Sequence, residues 1–201
     1  MKLYRPATIL VAVVFVLLGG LVRLATPGYV YEQANFKVER GTIGEALEYD
    51  GSGSTVKVTR IKFARTVLDS KASDDDKPID TNGVYVAVEW DAVRGAKKPG
   101  LATPTLLADG GSVYSKVGGF TSSSLDFPDP GYARTGAIVF EVNPADLKGL
   151  TLKLHPSPLF NYYSSEIQVD LGIPTEDIAQ HLVDSAAQQY VVPAPVTRVA
   201  S

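Results

Sequence analysis

Apolar and polar residues alternate along several short segments in the middle of the chain. In residues 84–93, VYVAVEWDAV, every second residue from Val84 onward is apolar. One face of this segment is formed by Val84, Val86, Val88 and Trp90. Because the side chains of a β-strand point alternately to its two faces, this period of two predicts a strand with one face in a core.

The same alternation returns in further segments, and turn residues separate them. These segments are residues 54–69, 136–142, 149–155 and 164–172. Asp109 and Gly110 stand between two other apolar segments, which is typical of a β-hairpin. About seven or eight short strands, with turns roughly every 8–12 residues, predict an all-β fold, and we expect an antiparallel immunoglobulin-like β-sandwich over residues 46–173.

A corner rich in proline and glycine precedes one of these strands. Residues 126–136 read DFPDPGYARTG. Pro128 and Pro130 restrict the backbone before the turn, and Gly131 is able to adopt a positive φ. We therefore predict a fixed corner that leads into a late strand of the sandwich. The core-facing residues of that strand are Ile138, Phe140 and Val142.

A long apolar segment stands near the N-terminus. Residues 7–22 carry no charge, and the segment extends to Ala25 with Arg23 as its one charged residue. A membrane-spanning helix needs about 20 residues, which this segment provides. Lys2 and Arg5 precede it, and this bias favours an N-terminus on the cytoplasmic side.

The alternative is a cleaved signal peptide, although the apolar segment is longer than the usual 7–15 or so residues and no clear small-residue cleavage site follows it. Both interpretations place the later residues outside the cytoplasm. The predicted organisation is a cytoplasmic N-terminus at residues 1–6, a transmembrane helix at 7–25 and a juxtamembrane linker at 26–45, within which residues 36–40 are a candidate strand.

The hydrophobic period changes after Gly172. Thr175 is a suitable N-cap, and two acidic residues follow it in the first turn. We predict a short amphipathic α-helix at residues 174–190 that packs on the sandwich or meets a partner or the membrane surface. Its apolar stripe is formed by Ile178, Leu182 and Tyr190. Residues 191–201 are predicted to form a flexible tail.

Composition narrows the possible chemistry. The 201 residues carry a net charge of −3, so no basic surface indicates nucleic-acid binding. The absence of cysteine excludes thiolate catalysis, disulfides and cysteine-based zinc sites. His155 and His181 fall in different elements, and the S-x-x-K match at Ser54 stands in an alternating strand. We therefore predict no enzymatic activity and no cofactor.

The polar loop at residues 69–83 is crowded with carboxylates. Its four closest are Asp74, Asp75, Asp76 and Asp80. Calcium takes 6–8 oxygen ligands, so such density is compatible with a calcium site. The spacing is not that of an EF-hand, and Lys71 and Lys77 dilute the negative charge. A solvated loop is the main prediction, with calcium or small-ligand binding and recognition of a partner as the alternatives.

Aromatic residues cluster in a second segment, FNYYSS, at residues 160–165. Exposed aromatic side chains are typical of interfaces, while packing at the edge of the sandwich is the other interpretation. The predicted interface candidates are therefore Phe160, Tyr162, Tyr163, Ile178, Leu182 and Tyr190.

Two motifs carry a resemblance to a known family. The first is a D-G-x-x-Y type of hairpin with Asp109, Gly110 and Tyr114, into which Gly111 is inserted. The second consists of Pro130, Gly131, Gly136, Phe140 and Val142. These motifs resemble the DUF4352-type family of small exported immunoglobulin-like domains, many of which follow a lipid or helical anchor. The resemblance implies an exported immunoglobulin-like sandwich and carries no information on activity.

Together these observations predict a single-pass protein of the cytoplasmic membrane with its N-terminus inside and its domain extracytoplasmic. The predicted role is protein–protein interaction at the cell envelope, and more specifically that of an accessory subunit of a membrane transport or export complex. The alternative is an envelope domain that binds a small ligand or calcium through the loop at residues 69–83.

Overall fold

A computed structural model of the chain describes residues 37–73, 75–120, 124–156 and 165–200. Helix α1 spans Glu176–Asp184, and a short 3-10 helix spans Pro144–Asp146. The strands are β1 (Lys37–Thr42), β2 (Ala46–Tyr49), β3 (Ser54–Asp69), β4 (Ile79–Val93), β5 (Ala102–Leu107), β6 (Val113–Ser115), β7 (Tyr132–Val142), β8 (Thr151–Pro156), β9 (Ser165–Asp170), β10 (Ala187–Val192) and β11 (Val196–Val199).

The strands form two sheets, which confirms the prediction of a β-sandwich. The first sheet has the order β1-β9-β8-β5-β6, and the second has the order β10-β3-β4-β7-β11 with β2 beside the start of β3. The chain changes sheets directly after β6, where Lys116 forms a bridge with Phe140 of β7. The next amide, that of Val117, donates to the carbonyl of Val139 over 2.8 Å.

The main hydrophobic core lies where the two sheets face each other. Alternate residues of β4 and β7 enter it, as the sequence predicts. They are Val84, Val86, Val88, Trp90, Ile138, Phe140 and Val142. The first sheet contributes Leu106, Leu152, Leu154, Ile167 and Val169. Complete burial of a Val or Leu side chain stabilises a fold by about 1.5–3 kcal/mol, so this inner cluster is the main stabilising feature.

A second hydrophobic cluster covers the opposite face of the second sheet. Its members are Val67, Tyr85, Ala87, Phe120, Ala137, Val139 and Val192. We call this the outer cluster. Phe120 comes from the turn after β6, and Val192 comes from the end of β10. Strand β4 is consequently buried on both faces along its middle, from Val84 to Val88.

The prediction of a purely antiparallel sandwich was wrong at two edges. Strand β1 runs parallel to β9, and β10 runs parallel to β3. Helix α1 lies between β9 and β10 in the chain. Parallel pairing needs a long connection, whereas an antiparallel pair needs only a tight turn, and the strands of each parallel pair are more than a hundred residues apart in the chain. Strands β1 and β10 each lie at an edge of their sheet, and the other strand pairs are antiparallel.

The predicted helix at residues 174–190 is shorter in the structure, and the chain after it is not a flexible tail. The hydroxyl of Thr175 caps the helix by accepting from the amide of Ile178 at 3.4 Å. The helix ends at Asp184, and Ser185 is its C-cap, whose hydroxyl and amide both donate to the carbonyl of His181. Residues 187–192 then form β10, and residues 196–199 pair with β7 as β11. The β-branched residues of these segments favour strands.

The compact unit also begins earlier than predicted. It extends over Lys37–Ser201, so β1 occupies part of the predicted linker at residues 26–45, and the unit continues past residue 173. The predicted transmembrane helix at residues 7–25 lies outside the described residues. In the part of the chain that is described, no helix has the length and apolar character to cross a membrane.

The corner before β7 has the predicted geometry. Gly131 adopts a φ of +83°, a conformation that favours glycine. Arg94, in the segment after β4, holds this corner. Its guanidinium donates to the carbonyl of Pro128 over 3.2 Å and lies 3.8 Å from the carboxylate of Asp129. The motif is therefore an architectural element, fastened by an arginine that lies more than thirty residues away in the sequence.

Candidate functional site

A groove of about 380 Å³ opens between the loop after β3 and the turn after β6. Its apolar part is formed by Val67 and Phe120, both buried, and by Ile79, whose surface is 50% exposed. Gly118 and Gly119 form the opposite wall. Because Val67 and Phe120 also belong to the outer cluster, the floor of the groove is continuous with packed protein and is fixed by it.

The wall on the side of the acidic loop is organised by hydrogen bonds within the loop. The carboxylate of Asp69 accepts from the amide of Lys71 at 2.9 Å. The carboxylate of Asp76 accepts from both the amide and the hydroxyl of Ser73, at 2.7 and 3.0 Å. The amide of Ser70 donates to the carbonyl of Val192, which fastens the loop to β10. Aspartate and serine side chains of this kind stabilise turns by such local bonds.

The charges around the groove are not equivalent. Asp69 and Asp76 are engaged by donors of their own loop. Lys71 and Lys77 also line the groove, and neither forms an ion pair with any described residue. Two ammonium groups beside an apolar floor provide an environment that suits an anionic group attached to an apolar body.

The aspartates of the calcium hypothesis are only partly brought together. Asp74 lies outside the described residues, and Asp75, Asp76 and Asp80 are described. Within the described ranges, no three carboxylate or histidine side chains are close enough to hold a metal ion. The carboxylate of Asp76 is used by Ser73, and the main-chain carbonyl of Asp80 accepts from the hydroxyl of Tyr85 at 3.2 Å.

Two of the predicted interface residues lie on helix α1. Ile178 is 42% exposed, and Leu182 is half-buried against the inner cluster. The helix packs on its own domain through Ala179 and Val183. The guanidinium of Arg65 donates to the carbonyl of Val183 over 2.7 Å, which ties the C-terminal end of the helix to β3. Of these two helical residues, Ile178 is the one that offers a substantial apolar surface to a partner.

Tyr190, which the sequence places on the helical stripe, lies in β10 instead. It is half-buried, and its hydroxyl donates to the carboxylate of Glu89 over 3.1 Å. Glu89 is also paired with Arg60. Burial is the main cause that raises the pKa of the Tyr190 hydroxyl above its ordinary value, and the negative charge of Glu89 adds to the shift. This tyrosine therefore links β10 to β4, with β3 between them.

The aromatic segment of Phe160, Tyr162 and Tyr163 lies outside the described residues. Its role at an interface stays a prediction. Ser54 of the S-x-x-K match is fully buried at the start of β3, where its hydroxyl accepts from the amide of Gly95 at 3.0 Å. This contact gives Ser54 a structural role, since it joins the start of β3 to the segment that follows β4.

Sequence reasoning identified one wall of the groove and missed the other. The charged loop is visible as a run of polar residues between two strands. Gly118, Gly119 and Phe120 stand about forty residues later in an irregular segment without a period. The two glycines before Phe120 indicate a turn that is followed by an apolar side chain. They do not indicate the surface on which that side chain packs.

Comparisons with known proteins add little to this description. No family model matches the chain, and no curated protein matches it. Among solved structures, the chain is similar to an uncharacterised β-sandwich protein from Clostridium difficile 630. The two sequences are 17% identical, the TM-score is 0.43, and the match covers 66% of this chain and 95% of that one.

Proposed function

We propose that this chain is a non-enzymatic, single-pass membrane protein that presents its β-sandwich outside the cytoplasm to bind another protein of the cell envelope. In the specific form of the proposal it is an accessory subunit of a membrane transport or export complex. The N-terminus is cytoplasmic, and residues 7–25 form the anchor. The domain is of the immunoglobulin-like DUF4352 type, to which its hairpin and corner motifs are similar.

The observation that carries the binding role is the groove between the loop after β3 and the turn after β6. It has a fixed apolar floor, an exposed Ile79 at its rim and charged residues around it. Apolar surface with a polar rim is the usual composition of a protein-binding site. An anchor would hold this groove near membrane partners and raise its effective concentration there, so a modest contact area would suffice for binding.

The anchor is tested by membrane fractionation of cells that carry the full chain with a tag at its C-terminus. We expect the protein to stay in the membrane after an alkaline wash and the tag to be accessible to added protease. A mature protein shortened at the end of the apolar segment would support the signal-peptide alternative and would contradict the anchor.

The binding surface is tested by site-specific photo-crosslinking in intact cells. A benzophenone amino acid replaces Ile79 at the groove, and a matched control replaces Leu101, which is also exposed. We expect an adduct of defined mass from position 79 and none from position 101. Equal adducts from both positions, or none from either in cells that export the domain, would count against the groove as the partner site.

A second candidate function is the binding of a small amphipathic anion in the same groove. The volume of about 380 Å³ falls in the range of small-molecule sites, and Lys71 and Lys77 have no ion pair with a described residue. Calcium is the weaker version of this candidate, since the described carboxylates do not converge.

Titration of the purified full chain distinguishes the two versions. For the anion, we expect decanoate to shift the amide NMR signals of Lys71 and Ile79, and the double variant K71Q/K77Q to weaken this response. Decyltrimethylammonium, which has the same alkyl length and the opposite charge, is the control ligand. An equal response to both amphiphiles would indicate apolar binding without charge recognition, and a response to calcium alone would favour the metal.

A further inference from the structure

The segment at the start of β4 contains the dipeptide Asn82–Gly83 on a stretch that lies outside the regular ladders. Pairing between β3 and β4 shifts register here, so that Asp80 pairs with Thr66 and the next paired residue is Tyr85, opposite Ala64. Pairing between β4 and β7 begins only at Val84. Residues 81–83 therefore have no backbone partner in either ladder, and the side chain of Thr81, bonded to Glu141, connects them to β7.

The side chain of Asn82 is exposed and forms no hydrogen bond with a described residue. Gly83 follows it without a Cβ, so the Gly83 amide nitrogen meets little steric hindrance in approaching the Asn82 side-chain carbonyl. Asparagine is among the thermolabile residues, and an Asn-Gly pair in a stretch free of ladder constraints is the arrangement that intramolecular cyclisation needs.

We infer that Asn82–Gly83 is a site of spontaneous backbone modification, at which the chain deamidates itself without any enzyme. The amide nitrogen of Gly83 loses its proton and attacks the Cγ carbon of Asn82. A bond forms between this nitrogen and Cγ, the bond between Cγ and Nδ2 breaks, and ammonia leaves. Water then opens the five-membered imide at either carbonyl, which gives aspartate or isoaspartate at position 82.

The structure also contains a device that slows this reaction. The hydroxyl of Thr81 accepts a hydrogen bond from the Gly83 amide at 2.8 Å, and it donates its own proton to Glu141 of β7. An amide that donates to an acceptor is harder to deprotonate and is directed away from the Asn82 carbonyl. Thr81 therefore acts as a positioning residue that sets the rate of the modification.

The products change this part of the molecule in two ways. Both add a negative charge two residues after Asp80, on the stretch whose Thr81 is bonded to Glu141. Isoaspartate also inserts an extra carbon into the main chain beside Gly83. The inserted carbon belongs to residue 82 and displaces Gly83, which packs closely on β7, since a Cβ added to Gly83 would lie 2.4 Å from the main-chain oxygen of Val142.

Incubation of the purified full chain at neutral and mildly alkaline pH, followed by peptide mapping with mass spectrometry, tests the inference. We expect position 82 to gain one mass unit, with both aspartate and isoaspartate peptides, and the rate to rise with pH. Asn143 is an internal control, because Pro144 has no amide proton and cannot form the imide. The variant N82Q should remain unmodified at position 82. An unchanged wild-type peptide would overturn the inference.

The role of Thr81 is tested with the variant T81A. Loss of one hydrogen bond to the Gly83 amide should raise the rate of modification roughly two- to tenfold. The control is V192A, which weakens the outer cluster and leaves the Thr81 bond in place. An increase of the same size in V192A would show that general unfolding, and not this hydrogen bond, limits the rate.

Discussion

Gly95 stands where the chain after β4 passes over the turn between β2 and β3. A Cβ at this position would lie 2.4–2.6 Å from main-chain atoms of Ser52 and Gly53. The φ angle of Gly95 is not positive, so the residue is required by the close approach of two backbones and not by its own conformation.

The substitution G95A should therefore lower the free energy of unfolding by about 1–3 kcal/mol, the usual cost of overpacking. The matched control is G110A, because Gly110 has no positive φ and no atom within 4 Å of its Cβ position. That control should change stability by no more than roughly 0.5 kcal/mol. Urea unfolding followed by Trp90 fluorescence measures both, and equal losses in the two variants would contradict the contact.

Tyr190 gives the molecule a dependence on alkaline pH. In the folded chain its pKa is raised above the ordinary value of about 10, first by burial and second by Glu89. Above this ordinary value the unfolded chain loses the proton that the folded chain keeps. The unfolded state then binds fewer protons than the native state, so the free energy of unfolding falls as pH rises.

We therefore expect stability to decline as pH rises past about 10, and to decline less steeply in Y190F. The control is Y132F, which removes the hydroxyl of an exposed tyrosine. Urea unfolding at a series of pH values measures the slopes. A slope in Y190F identical to that of the wild type would assign the alkaline sensitivity to other groups.

Among the elements, the two C-terminal strands differ in how they are held. Val192 at the end of β10 is 1% exposed and belongs to the outer cluster, whereas Val199 at the end of β11 is 72% exposed. Strand β11 is held by its ladder with β7 and by the pairing of Arg198 with Asp91. Burial therefore dominates in one strand, and backbone pairing with an exposed ion pair dominates in the other.

The same substitution in both strands separates these contributions. V192A should lower the free energy of unfolding by about 1–3 kcal/mol, since it removes buried methyl groups and leaves a cavity. V199A should change it by no more than about 0.5 kcal/mol. Thermal or urea unfolding compares the two. Similar losses would mean that the outer cluster is not closed by β10.

Which elements the sequence predicts depends on how local their signals are. Strands β4 and β7 were predicted with the correct core-facing residues, because the alternation is long and the inner cluster uses it directly. Strand β10 was assigned to the helix, since residues 187–190 continue a helical stripe and only a parallel pairing with β3 overrides it. Strand β1 has no clear period because its residues are mostly exposed or half-buried.

The groove shows the same limit at the level of a site. Its polar wall follows from one continuous loop, which the sequence displays. Its apolar floor combines Val67 with Phe120, and that combination depends on the sheet change after β6. No local sequence pattern encodes a contact between segments about fifty residues apart. The sequence therefore shows the charged loop of the groove but does not predict the cavity.

At the scale of the whole molecule, the two hydrophobic clusters share strands. Val84 and Val86 enter the inner cluster, while Tyr85 and Ala87 between them enter the outer one. Neither cluster can lose its packing without disturbing the strands of the other. We therefore expect the domain of residues 37–200 to unfold in one cooperative step.

Two probes of unfolding test this expectation. Trp90 fluorescence reports the inner cluster, and the NMR signals of Val192 and Tyr190 report the outer one. Their midpoints in urea should coincide, and V192A should shift both by the same amount. Separate midpoints would show that the outer cluster opens as an independent unit.

The short strands at the edges of the second sheet have a consequence for the solubility of the folded domain. Strands β3, β4 and β7 contain 16, 15 and 11 residues, and long apolar strands with open edges recruit other chains. Strand β2, with 4 residues, and β10, with 6, cover the free side of β3, while β11, with 4, and residues 116–117 cover that of β7. Pro193 and Pro195 separate β10 from β11 and cannot donate to a further strand. Because the covering strands are short and interrupted, the second sheet, over the residues that the structure describes, offers no long edge from which aggregates could grow.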